Sequence, residues 1–84
     1  MRKAKSVVVG EAIARGLIRT FQDPAMRGPN WKWENLPEFV AGHTRATLFT
    51  AFRRDPTEHE HKLAEDAARA AAVEFLNEKK IDGD

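Results

Sequence analysis

Hydrophobic residues recur every four positions near the start of the chain, and this spacing is typical of one face of an α-helix. The residues that set the pattern are Val9, Ile13, Leu17 and Phe21. We therefore predict a helix over residues 7–21, with Ser6 as its N-cap. Three consecutive valines followed by Gly10 leave one alternative open, a short strand at residues 4–9.

Turn-forming residues dominate the next segment. Residues 22–30 include two prolines and one glycine, and this composition predicts a loop. Both tryptophans follow it, within residues 31–33. Asn35, Pro37 and Glu38 then have the spacing of a helix start, because asparagine can cap a helix and proline is tolerated in its first turn. We expect a second helix to begin there.

The second helix has apolar residues on two sides. One side carries Val40, Thr44, Thr47, Leu48 and Ala51, and the other carries Phe39, Ala46 and Phe49. An uninterrupted helix would therefore need to be buried on both faces. A break at residues 42–44, with Thr44 capping a new helix that runs through Arg54, would remove this conflict.

Residues 55–58, Asp-Pro-Thr-Glu, are the clearest helix start in the chain, with Asp55 as the N-cap. We predict a helix over residues 56–80. Its apolar side is made mainly of alanine and consists of Leu63, Ala64, Ala67, Ala68, Ala70, Ala71 and Phe75. Small residues permit a close helix crossing, and Gly16 on the first helix would allow the same approach from the other side.

These elements predict a mostly α fold, a small bundle of three helices, or of four if the second helix breaks. We expect residues 1–84 to form one domain, with residues 1–5 and 81–84 frayed. A core of this size supplies little net stability, and self-association through the Ala-rich last helix is one way to add to it.

Composition narrows the class of protein. The 84 residues include no cysteine, so disulfides and thiol chemistry are excluded. No apolar run is long enough to span a membrane, and we expect a soluble, cytoplasmic protein. The net charge of +1 is unevenly distributed, since residues 1–54 hold ten basic and four acidic residues and residues 55–84 hold four and nine. This division fits an anionic partner, contact between copies, or neutralisation within one fold.

No residue pattern points to catalysis or to a bound metal. His59 and His61 are two positions apart, so on a helix their imidazoles point in different directions and cannot readily share an ion. His43 beside Gly42 fits a turn, and the only serine, Ser6, is explained as a cap. We therefore expect a protein that is not an enzyme and that holds no cofactor and no metal ion.

The tryptophan segment is the strongest candidate for a binding site. Tryptophan and arginine are the residue types most enriched in the energetic centres of protein interfaces. The residues that we predict to contact a partner are Trp31, Lys32, Trp33 and Arg27. We expect one indole to fill the core and the other to be partly exposed. The predicted function is that of a small accessory or regulatory protein that binds a macromolecule, in the first instance another protein.

DNA binding through residues 44–54 is the alternative function. A short helix, a turn at Gly42 and a second helix resemble a helix-turn-helix motif. The resemblance implies base contacts from Thr44, Arg45 and Thr47, and phosphate contacts from Arg53 and Arg54. Two features depart from the motif: Glu38 stands where a small residue is usual, and a net charge of +1 is low for a DNA-binding domain.

Overall fold

Three α-helices make up most of the fold, and the computed structural model describes residues 3–79. The helices are α1, Lys5–Phe21; α2, Leu36–Phe52; and α3, Glu58–Lys79. Two short 3₁₀ helices, Pro24–Met26 and Trp33–Asn35, lie in the connection between α1 and α2. Since residues 3–79 contain no strand, the prediction of a mostly α bundle is confirmed, with three helices. The fraying predicted for residues 81–84 lies outside the described residues.

The start of α1 differs from the prediction. Ala4 is the N-cap, and the helix includes the stretch for which a strand was the alternative. Ser6 does not cap the helix, because it lies inside the first turn and is only 3 % exposed. Its small side chain lies on the same helix face as Gly10, which is also buried. Ser6 therefore contributes to packing between helices and not to a helix end.

A seam of small residues joins α1 to α3. The buried residues along it are Ser6, Gly10, Ala14 and Ile18 on α1, and Ala64, Ala68 and Ala72 on α3. A Cβ atom at Gly10 would lie 2.3 Å from the carbonyl oxygen of Ala64, so the two backbones are in contact there. The prediction that Gly16 makes this contact is wrong, because Gly16 is exposed and has open space around its Cα.

Helix α2 is uninterrupted, so the break predicted at residues 42–44 does not occur. Thr44 is fully buried in the helix, where its Oγ1 donates a hydrogen bond of 2.7 Å to the carbonyl oxygen of Val40. This bond satisfies the hydroxyl inside the core, so Thr44 does not need to cap a new helix. The helix ends instead at Arg53, whose left-handed backbone (φ 57°) lets its N–H donate to the carbonyl oxygen of Phe49.

Ion pairs show that α2 and α3 are antiparallel. Just past the middle of α2, Arg45 donates hydrogen bonds to Glu58 and Glu65 in the first half of α3. Near the start of α2, Glu38 accepts a hydrogen bond of 2.8 Å from Arg69, further along α3. These pairs lie on the surface, where ion pairs contribute little to stability, so they specify the orientation of the helices more than the stability of the fold.

Contacts at both ends of the bundle show that α1 and α2 are also antiparallel. The Nζ atom of Lys5 lies 4.9 Å from the ring centroid of Phe52, and the rings of Phe21 and Phe39 lie 5.4 Å apart. Helix α1 is therefore parallel to α3, and α2 packs against both. The core between them includes Ala14, Ile18, Leu36, Val40, Ala68 and Ala72. Among residues 3–79, no helix has the length and apolar character needed to cross a membrane.

A capping box starts α3. The N–H of Thr57 donates to Oε1 of Glu60 at 2.8 Å, and the N–H of Glu60 donates to Oγ1 of Thr57 at 3.1 Å. The predicted cap, Asp55, is two residues too early. Arg54 donates two further hydrogen bonds, of 2.7 and 2.9 Å, to the Glu60 carboxylate. The bonds from Arg54, together with the N–H of Thr57, lower the pKa of Glu60 to about 2.

The helix contact at Gly10 can be tested by substitution. Gly10→Ala should lower the free energy of unfolding by about 1–3 kcal/mol, because the new methyl group would overlap the carbonyl group of Ala64. Gly16→Ala is the matched control and should raise this free energy by about 0.5–1 kcal/mol, since alanine is the better helix former. Urea unfolding followed by circular dichroism measures both. Equal effects of the two substitutions would show that the backbones do not touch.

The capping box gives a prediction on acid stability. The folded pKa of Glu60 is depressed, so its stabilising effect is present above its ordinary pKa of 4.5 and is lost as the pH falls towards about 2. We expect Glu60→Gln to be less stable than the wild type at pH 7 and to lose less stability over this pH range. Thermal melts measured from pH 7 to pH 2 test this expectation.

Glu74→Gln is the control for acid stability, because Glu74 has no ion-pair partner within the described part of the chain. Its melting temperature should follow that of the wild type throughout the titration. The assignment of acid sensitivity to Glu60 would be wrong if both variants gave the same pH profile.

Candidate functional site

Five aromatic rings close one end of the bundle, and we call them the aromatic cluster. Its members are Phe21, Trp31, Trp33, Phe39 and Phe75. Trp31 stacks on Phe21 at 4.6 Å between centroids and meets the ring of Trp33 edge-on at 5.4 Å. Trp33 in turn lies 5.7 Å from Phe75 on α3. The tryptophan segment thus connects the end of α1 to the second half of α3.

Both indoles are half-buried and pack against the core, so the predicted division into one core and one exposed tryptophan is not observed. The Nε1 atom of Trp31 is buried and has no acceptor within residues 3–79, so this indole contributes packing and no polar contact. Trp33 packs from the other side of the cluster. Both rings therefore cover the core, in which the buried residues of α3, Ala68 and Ala72, have short side chains.

Arg27 has a structural position. Its Nη1 donates to the carbonyl oxygen of Phe21 at 2.8 Å and to that of Gln22 at 3.3 Å, which satisfies acceptors at the end of α1. The guanidinium also lies over the ring of Trp33 at 5.2 Å. Of the four residues predicted to contact a partner, only Lys32 is exposed, and the other three are half-buried. Arg27 and the two tryptophans are engaged mainly within the fold.

The residues predicted for DNA contact are placed unfavourably for it. Thr44, predicted to face the bases, is fully buried, and Thr47 is half-buried with its Oγ1 donating to the helix backbone. Arg45 pairs with two glutamates on α3, and Arg54 pairs with Glu60. Only Arg53 is both exposed and without a side-chain partner in the described residues. The helix-turn-helix geometry is absent, because α2 does not turn at Gly42.

His59 and His61 do not form part of a metal site in the described residues. His59 is exposed, and His61 is half-buried. Within residues 3–79, no group of three histidine, cysteine, aspartate or glutamate side chains is placed to hold a metal ion.

The outer face of α2 is the site that the sequence analysis missed. We use this name for four exposed residues on the side of α2 opposite Thr44: Phe39, Gly42, Ala46 and Phe49. The two phenylalanine side chains are 41 % and 54 % exposed, and a Cβ at Gly42 would have open space around it. The signal in the sequence was the second apolar side of this helix, for which the predicted break was the wrong explanation.

The outer face of α2 is continuous with the aromatic cluster. Phe39 belongs to both, because its ring lies 6.0 Å from that of Trp31 in the cluster and because it is one of the four residues of the outer face. On α2 itself, the ring of His43 lies 6.4 Å from that of Phe39. An exposed apolar surface therefore extends from the tryptophan segment along α2 to Phe49. Contiguous surfaces of this kind mark places where proteins contact other molecules.

The fold and this surface define a small three-helix bundle with one apolar helix face turned to solvent. No protein-family model, no curated protein and no solved structure matches the chain. What the protein does must therefore be inferred from its own residues.

The packing of the indoles predicts their effect on stability. Trp31→Ala and Trp33→Ala should each lower the free energy of unfolding by about 2–4 kcal/mol, because each removes a half-buried ring from the aromatic cluster. Lys32→Ala lies between them and should change it by less than about 0.5 kcal/mol. Chemical denaturation of the three variants measures the difference. Unchanged stability in both tryptophan variants would show that the indoles are free surface groups.

Proposed function

We propose that the protein is a small non-enzymatic binding module with an accessory or regulatory role. Its contact surface is the outer face of α2, with Lys32 and the exposed parts of Trp31 and Trp33 at one end. Its partner is a protein that presents an apolar helix. The observation that carries this proposal is that Phe39 and Phe49 are 41 % and 54 % exposed on the same side of an uninterrupted helix.

The shape of this face suits a helix as the bound element. Phe39 and Phe49 are ten residues apart, so they are separated by about 15 Å along α2. Gly42 and Ala46 lie between them and rise little above the helix backbone. A helix laid on these small residues could approach closely and be held by an aromatic ring near each end.

The charges around the face favour a protein over a nucleic acid. No lysine or arginine belongs to the four-residue face, whereas affinity for nucleic acid comes mainly from basic residues beside the phosphates. Glu38 and Arg45, on one flank of α2, are paired with residues of α3. The face is therefore apolar and the charges along this flank are paired, as is usual for the centre of a protein interface.

Capture experiments test the proposal. Immobilised wild-type protein and a Phe49→Asp variant are exposed to extract of the native host, and bound proteins are quantified by mass spectrometry. We expect at least one bound protein to fall by about tenfold or more with Phe49→Asp, because a carboxylate would be buried unpaired in the contact. Nuclease treatment should leave its capture unchanged.

Val73→Asp is the matched control for capture. Val73 is 43 % exposed and belongs to α3, not to the outer face of α2, and its substitution adds the same charge. Circular dichroism confirms that both variants are folded. Equal losses in the two variants, or capture that nuclease removes, would contradict a protein contact on α2.

A further inference from the structure

We propose that the protein bound by the outer face of α2 is a second copy of this chain, packed with its own α2 antiparallel to the first. This inference rests on the proposed function, in which the outer face of α2 is a contact surface. It is carried by two observations: the symmetry of the exposed residues along α2 and the distribution of charge at its two ends.

The exposed residues of α2 are arranged symmetrically about position 44. Phe39 and Phe49 are five residues before and after it, and Gly42 and Ala46 are two residues before and after it. Thr44 itself points into the core and is fully buried. With 3.6 residues per turn, the two phenylalanines lie about 40° on either side of the middle of the outer face, and the two small residues about 20°.

A symmetric face of this kind is self-complementary under a two-fold axis. In an antiparallel pair centred on residue 44, Phe39 of one copy lies level with Phe49 of the other, and Gly42 lies level with Ala46. Phe39 and Phe49 are on opposite sides of the midline, so the rings of the two copies lie side by side and do not collide. The backbones can approach at the centre, where both helices have small residues.

Gly42 has a specific place in this arrangement. Side chains on a helix lean towards the N-terminus of their own helix. In the antiparallel pair this tilt brings the ring of Phe49 from one copy over Gly42 of the other. The space above Gly42 is open in the single chain, and in the dimer it is filled by the Phe49 ring of the other copy.

Charge at the ends of α2 favours the antiparallel orientation. Glu34 precedes the helix and Arg53 ends it, and neither side chain has an ion-pair partner in the described part of the chain. In the antiparallel pair, Glu34 of each copy lies almost level with Arg53 of the other. A parallel pair would instead place like charges together, and would also align the two helix dipoles unfavourably.

The contact involves one helix from each copy and is small. Stable complexes bury about 800 Å² per partner, and a single short helix face approaches this value only at its upper limit. We therefore expect a reversible dimer whose population depends on protein concentration.

Sedimentation equilibrium of the untagged protein over about 5–500 µM tests the inference. The mass should rise with concentration from 9.5 kDa towards twice that value. Gly42→Gln should remain at the monomer mass throughout, since the glutamine side chain would occupy the space that the Phe49 ring of the other copy needs. It should still fold, because this position has open space in the single chain and glutamine is a better helix former than glycine.

Gly16→Gln is the matched control, because Gly16 is also an exposed glycine inside a helix with open space around it. It should dimerise like the wild type. A wild type that stays monomeric at 500 µM would overturn the inference, as would a dimer that Gly42→Gln leaves intact. The two proposals can fail separately. If the wild type is monomeric but Phe49→Asp still abolishes capture of a host protein, the inferred dimer is wrong and the proposed function stands.

Single cysteines test the orientation, since the chain has none of its own. Ala46→Cys lies two residues from the two-fold axis and should form a disulfide between copies on mild oxidation. Arg53→Cys should form at least tenfold less, because the two residues 53 would be about 27 Å apart along the helices. Comparable disulfide formation at both positions would indicate a parallel pair and overturn the antiparallel arrangement.

Discussion

The carbonyl oxygen of Ala64 occupies the space in which a side chain at residue 10 would begin, and this contact between two backbones determines how the bundle is built. It brings α1 and α3 together along small residues, with Ala14 and Ala68 also fully buried. Ile13 and Leu17 of α1 are consequently half-buried beside the seam, and Ile18 is the one large residue of α1 that is buried along it. A seam of glycine, serine and alanine supplies little apolar area, so much of the core must come from the other elements.

Helix α2 and the aromatic cluster supply that area. Leu36, Val40 and Leu48 are fully buried on one side of α2. The indoles of Trp31 and Trp33 cover the end of the core, where the alanines of α3 are too short to fill the volume. Both tryptophans therefore pack within the fold, and only parts of their rings remain exposed for contact with a partner. Helix α2 is buried on one side only, because among residues 3–79 no further helix packs against its other side.

The number and approximate limits of the helices could be read from the sequence, because periodicity and turn residues are local signals. Which residues of one helix contact another helix could not be read from the sequence, because these contacts are not local. The pattern at Ile13 and Leu17 correctly indicated a helix, but the row that contacts α3 passes through Gly10, and only the position of Ala64 distinguishes it from the row through Gly16. The segment before α3 contains two overlapping caps, and the bonds between Thr57 and Glu60 select the later one. At the candidate site, the sequence shows that α2 has two apolar sides, and this pattern predicts a break in the helix. The helix is instead continuous, with the side of Thr44 buried and the side of Phe39 and Phe49 exposed.

Glycine within a helix costs about 1 kcal/mol relative to alanine, so each such residue requires an explanation. At Gly10 the explanation lies inside the fold, where any side chain would displace α3. Gly42 and Gly16 have no neighbour that excludes a side chain, but their surroundings differ. Gly16 shares its side of α1 with Arg19, an exposed charged residue that keeps water around it, whereas Gly42 lies on an apolar face between two exposed phenylalanines. A gap bordered by aromatic rings is useful only if something apolar enters it. The same device that joins α1 to α3 within the chain is therefore available on α2 for a contact between chains.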